Sequence, residues 1–144
     1  MDNKWFQFAA RFYKYNNVTL EEAVIYTNNK FKIPKYNIEI LTQKIILSTL
    51  DLFLDSKLHK YWYNFPHRKR EVINIQRILM KILYEHPVYK NKSTTDIGKL
   101  IRNKDHSTVL FHIQQCNDLL SSESIFLKLY KQIERNINII IKNN

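Results

Sequence analysis

One glycine, three prolines and one cysteine stand among 144 residues. So few turn-forming residues argue against an all-β fold, and with long Ile, Leu, Lys and Asn runs they point to an all-helical chain. The lone glycine, Gly98, also excludes a glycine-rich phosphate loop of the G-x-x-x-x-G-K-[ST] kind. Cys116 has no partner for an internal disulfide, which fits a reducing cytosol, and it reads as a small buried apolar residue. No uncharged apolar run is long enough for a membrane span: Ile38–Leu58 carries Glu39, Lys44, Asp51, Asp55 and Lys57. Met1–Asn17 is charged and aromatic, without the apolar core of a secretory signal. The histidines His59, His67, His86, His106 and His112 lack metal-ligand spacing. Asp105, His106 and Ser107 are sequence neighbours, so on a helix they point apart and form no nucleophile–base–orienter line. No metal, no cofactor and no enzymatic activity is expected.

Positive charge is abundant. The formal net charge is +10 and the isoelectric point about 9.7, a balance that favours an anionic partner. The excess is uneven: +3 over residues 1–66 and +7 over residues 67–144. The cations gather at turns and helix tips rather than along one amphipathic face, which argues against a membrane surface.

Apolar periodicity predicts a helix over Asn3–Tyr15, with Trp5, Phe8, Ala9 and Phe12 on one face. Thr19-Leu20-Glu21-Glu22 has capping-box spacing and starts a second helix that runs to about Phe31. Ile33-Pro34 breaks it. Asn37 caps a long third helix from Ile38 to about Asp55, with Ile38, Leu41, Ile45 and Leu52 on one strip. It is so apolar that it belongs at the centre of the core or in a dimer seam. The aromatic cluster Tyr61–Phe65 and the basic run from His67 mark a boundary, giving an N-terminal helical region, 1–66, and a second domain, 67–144. In the second domain, Glu71–Glu85 carries Val72, Ile75, Leu79, Ile82 and Leu83 inward. A last helix, Ile125–Ile141, turns Ile125, Leu129, Ile133, Ile137 and Ile140 to the core.

Between them lies the segment Asp96–Val109. Ser93 caps a short helix, Thr94–Ile101, through Asp96; Arg102–Lys104 turn; Asp105 caps a further helix to about Leu120. That pattern predicts a helix-turn-helix whose second helix opens on His106, Ser107 and Thr108. Those side chains can exchange hydrogen bonds with base edges, and the Thr108 methyl can touch a thymine methyl. Gly98, inside the short helix, costs roughly 1 kcal/mol there and is expected to let two helices approach closely. Arg68, Lys69 and Arg70 read as phosphate or minor-groove contacts. Lys90, Lys92, Lys99 and Arg102 read as a phosphate-binding rim, and Ser93, Thr94 and Thr95 offer a helix N-terminus to a phosphate.

These residues bring a family into view. Arg68-Lys69-Arg70, Gln76-Arg77-Ile78-Leu79-Met80, Asp96-Ile97-Gly98 and Lys104-Asp105-His106-Ser107-Thr108-Val109-Leu110 resemble the C-terminal DNA-binding domain of the bacterial replication initiator DnaA. The resemblance spans roughly His67–Arg135. It implies an all-α bundle with a helix-turn-helix of the initiator or Trp-repressor kind, double-stranded DNA as partner, and a nucleoid-associated location in the cytoplasm. By that likeness the basic run at Arg68–Arg70 enters the minor groove, Gln76 and Arg77 contact backbone and bases, and Asp105, His106, Ser107 and Thr108 read the major groove. Lys104 replaces an arginine and can pair with a phosphate without the bidentate fork. The departures are definite. The family's paired glycines in the turn are Arg102-Asn103. Its histidine after Val-x is Phe111, with His112, a candidate DNA contact in its stead, one place on and turned about 100° around the helix. The ATPase module has no counterpart in these residues, so origin or promoter recognition without ATP chemistry is implied. An alternative keeps the same fold as a scaffold for protein–protein interaction, with residues 1–66 binding a partner or a second copy.

Overall fold

The computed structural model describes residues 3–31, 37–63, 69–102 and 104–143. These residues form eight α-helices and no strand. Helix α1 (Asn3–Tyr15) meets α2 (Leu20–Lys30) through a tight turn with Asn17 at φ 48°, a left-handed conformation that asparagine tolerates. The Thr19 hydroxyl accepts the Glu22 N–H and the Glu22 carboxylate accepts the Thr19 N–H, so the expected capping box forms.

Helix α3 (Asn37–Phe53) is buried nearly all round. Its start lies where expected, but the residues before it and the Asn37 side chain lie outside the described set. Leu41, Ile45, Ile46, Leu47 and Leu50 enter the core. The polar residues among them are answered. The Trp5 indole N–H donates to Asn28 Oδ1 at 2.9 Å, while Asn28 and Gln43 exchange amide hydrogen bonds at 3.1 and 3.2 Å. This buried network ties α1, α2 and α3 together. Thr42 donates to the Ile38 carbonyl, so its hydroxyl accepts from Tyr89 at 2.6 Å. Leu52 points outward instead of joining the expected strip.

A 3-10 turn (Ser56–Leu58) leads into α4 (His59–Tyr63), which the sequence pattern did not announce. The His59 Nε2–H closes the end of α3 by donating to the Leu50 and Leu54 carbonyls, both at 2.9 Å. Helix α5 (Arg70–Glu85) turns Val72, Ile75, Leu79, Ile82 and Leu83 inward as its periodicity predicts. It packs on α6 (Thr94–Ile101) and most extensively on α7 (His106–Ser122). Helix α8 (Ser124–Lys142) closes the bundle against α3 and α7. Its inward face is one residue out of phase with expectation at the start. Phe126 and Tyr130 are buried with Ile133 and Ile137, and Ile125 is 84 % exposed. The larger aromatic rings win the interior because they remove more apolar area from water.

The expected boundary at residues 66 and 67 falls outside the described residues. The buried side chains on either side of it form one continuous cluster, from Trp5 through Leu50 and Ile78 to Ile137. Helix α3 packs on α6 and α8, and the Asn136 amide donates to the Ser48 hydroxyl at 3.0 Å. No helix among the described residues is long and apolar enough to cross a membrane.

Candidate nucleic-acid interface

The site is built around Gly98. Its carbonyl accepts the Arg102 N–H at 3.2 Å and the Lys104 N–H at 2.9 Å, which ends α6 and folds the chain back. A Cβ at Gly98 would stand 2.1 Å from the Lys104 carbonyl oxygen and 2.9 Å from Val109 Cγ2. Only a residue without a side chain lets α6, the turn and α7 come this close. Both helices start as expected. Ser93 and Asp96 form a reciprocal capping box on α6. Asp105 Oδ1 accepts the Thr108 N–H at 2.8 Å on α7. Hydrogen bonds from Ser93 and from Thr108 hold the Asp96 and Asp105 carboxyls, respectively, below their ordinary range.

The tip of α7 is open. His106 and Ser107 are exposed and Thr108 is half-buried. The His106 Nδ1 and the Thr94 hydroxyl are hydrogen-bond partners, so the buried Thr94 pins the imidazole and leaves Nε2 as the outward ring nitrogen. Thr95 and Lys99 are exposed along α6, and Lys90 is exposed on the preceding loop. Lys104 is half-buried at the turn, where burial and then Arg102 pull its pKa down. Lys69 and Arg70 are exposed at the start of α5, with Lys69 Nζ 5.0 Å from the Tyr61 ring centre. Arg68 lies outside the described residues.

Besides Thr94, which is buried beneath His106 instead of facing a phosphate, three expected contact residues are turned inward. Gln76 is 3 % exposed, and its Oε1 accepts from Arg102 Nη1 at 2.8 Å. Arg102, expected on the phosphate rim, is 6 % exposed. Its guanidinium lies 4.8 Å from the Trp62 ring centre and donates through Nη2 to the Tyr61 carbonyl at 3.4 Å. Burial lowers its pKa to about 10, so it stays charged at neutral pH. Gln76 and Arg102 thus brace the turn from below instead of facing a ligand. The third is His112, which is half-buried and accepts at Nδ1 from Arg77 Nε at 3.4 Å. Burial, reinforced by Arg77, Lys104 and Arg102, pushes His112 down to about 4. The same burial lowers the Arg77 pKa.

That depression has a sign. An unfolded chain protonates His112 near 6.5, whereas the fold resists protonation down to about 4. The unfolded state therefore binds more protons between those values, and stability falls as pH drops through that window. The ring is half-buried, so water screens part of the effect, and a loss of about 1–2 kcal/mol is expected. Urea midpoints measured from pH 7 to pH 4.5 should show this slope, and His112→Gln should flatten it. An equal slope in the variant would place the effect elsewhere.

The outer face of α7 carries two apolar side chains for which the sequence pattern predicted no exposed role. Leu110 and Phe111 are exposed, Phe111 by 52 %, next to Ser107 on the same face. Among the described residues no group of three or more His, Cys, Asp and Glu could hold a metal ion. Comparison with family models, with curated proteins and with solved structures found no match.

Proposed function

We propose that this chain binds double-stranded DNA with sequence preference through the α6–turn–α7 unit. It would act as a helix-turn-helix of the replication-initiator kind in origin or promoter recognition, without ATP chemistry. One observation carries the reading: the capped start of α7 stands open directly after Lys104, with His106 and Ser107 exposed and Thr108 half-buried. The close crossing at Gly98 holds it there. Small hydrogen-bonding side chains on an exposed helix tip fit a major groove, and flanking cations fit its phosphates. Lys69 and Arg70 supply a second set of cations at the head of α5.

Selection of bound sites from random duplexes at near-physiological salt tests this reading. Thr108→Ala is expected to relax preference at one base by ~1–3 kcal/mol. Lys69→Gln is expected to weaken all sequences alike and to reduce the salt slope by about 1. A salt-independent isotherm, or unchanged preference in the Thr108 variant, counts against DNA reading.

A protein partner on the same face is the second reading, favoured by exposed Leu110 and Phe111. Replacing both by serine separates the two. DNA affinity retained with loss of a protein complex supports the partner, while a shift in preference at thymines supports base contact.

A further inference from the structure

The N-terminal half carries a cationic cleft of its own. It lies between α1 and the segment that runs from the 3-10 turn into α4, encloses about 210 Å³, and is lined by Arg11, Lys14 and Lys60 with Gln7, Tyr15 and Ser56. Among the described residues no carboxylate lines it. Asp51 lies on the adjoining smaller pocket with Lys14, but neither Arg11, Lys14 nor Lys60 has a carboxylate oxygen within salt-bridge distance among the described residues. All three cations are exposed. Holding three like charges in one recess costs Coulomb energy unless an anion joins them.

The cleft is also linked to the DNA-facing unit. Lys60 Nζ lies 5.1 Å from the Tyr61 ring centre, and Lys69 Nζ lies 5.0 Å from the same ring. The Tyr61 carbonyl in turn accepts from Arg102, at the turn before α7. Positive charge therefore runs from the head of α5, across Tyr61, to Lys60 and into the cleft.

We propose that the cleft of Arg11, Lys14 and Lys60 is a phosphate-binding site that extends the contact with the DNA backbone beyond the α6–turn–α7 unit. This rests on the DNA reading given above. It assigns residues 1–66 a part in binding: they add affinity without sequence information, since phosphates carry none. Each neutralised phosphate steepens the dependence of log affinity on log salt by about 0.9.

Two measurements on the full chain test it. The first is titration of duplexes long enough to pass both surfaces, over a salt series. Arg11→Gln/Lys14→Gln/Lys60→Gln is expected to flatten the slope by roughly 2–3 and to weaken binding at least about tenfold at low salt. The selected sequence should not change. Lys128→Gln/Lys131→Gln/Lys142→Gln, on α8, removes equal charge elsewhere and should leave the slope near that of the parent. The second is nuclear magnetic resonance with inorganic phosphate, where shifts should centre on Arg11, Lys14 and Lys60 and vanish in the cleft variant. An unchanged slope in a folded cleft variant, an equal loss in the α8 control, or phosphate shifts scattered over the surface overturns the proposal and leaves DNA reading by α7 intact. Absence of duplex binding by the parent protein overturns the DNA reading, and the backbone role of the cleft with it, even where phosphate shifts persist there.

Discussion

Gly98→Ala is expected to destabilise the fold by about 3 kcal/mol, although alanine ordinarily gains roughly 1 kcal/mol over glycine inside a helix. The sign reverses because of what surrounds Gly98. The added Cβ would sit 2.1 Å from the Lys104 carbonyl oxygen, and 2.9 Å from both the Lys104 carbonyl carbon and Val109 Cγ2. Two of those atoms are backbone, so no rotamer change relieves the contact. The turn must move, and with it the carbonyl of Gly98 that accepts from Arg102 and Lys104. Because Asp105 follows at once and caps α7, the movement reaches His106–Thr108. Urea unfolding should show a midpoint well below that of the parent, and DNA affinity should fall in protein that is still folded. A midpoint equal to or above the parent's would mean that α6 and α7 do not cross here.

Gly98 also shows what the sequence makes legible. A lone glycine within a predicted helix, seven residues before an aspartate suited to cap the next one, is a local pattern with a local meaning. The same holds for Thr19 with Glu22 and for Ser93 with Asp96, whose capping boxes depend only on neighbours three residues apart. Such positions fix where helices begin, and the starts of α2, α6 and α7 follow from them closely.

Facing is another matter, because it depends on partners far along the chain. In α1 the core takes Phe6 rather than Phe8 or Phe12. Phe8 and Phe12 instead join an aromatic stack with Tyr26 of α2, where the Phe12 and Tyr26 rings lie 4.2 Å apart and nearly parallel. Nothing within α1 distinguishes these rings. The buried amides of Asn28 and Gln43 are likewise invisible until α2 meets α3. The cleft at Arg11, Lys14 and Lys60 joins residues almost fifty positions apart, and only the i, i+3 pair Arg11–Lys14 signals it locally. At the α6–turn–α7 unit, the open helix tip was legible because it follows a cap directly. Gln76 and Arg102 were not, since their polarity suggests the surface while Trp62 and Tyr61 draw Arg102 inward.

Arg102 is where that distinction is most consequential. Its guanidinium donates to Gln76 and to the Tyr61 carbonyl and lies over Trp62. Arg102→Ala takes a donor from the buried Gln76 Oε1 and from the part-buried Tyr61 carbonyl, at about 1–3 kcal/mol for an unsatisfied group, and bares one face of the indole. A loss of about 3 kcal/mol is expected, with the turn into α7 loosened. Lysine recovers only part of it, because one ammonium cannot fork to both acceptors and stack at once. The decisive variant is Arg102→Met with Gln76→Leu. It removes both the donor and its principal acceptor and fills the space with apolar volume, a replacement that is often neutral for buried polar pairs. A double-mutant cycle should therefore show the paired change to be less costly than the sum of the single ones by at least about 1 kcal/mol. The same protein separates bracing from binding. With Arg102 acting only as a brace, the double variant keeps the parent's DNA affinity and salt slope. A slope flatter by about 0.9 would instead put Arg102 on a phosphate, and the inward orientation of its side chain would then belong to the free protein alone.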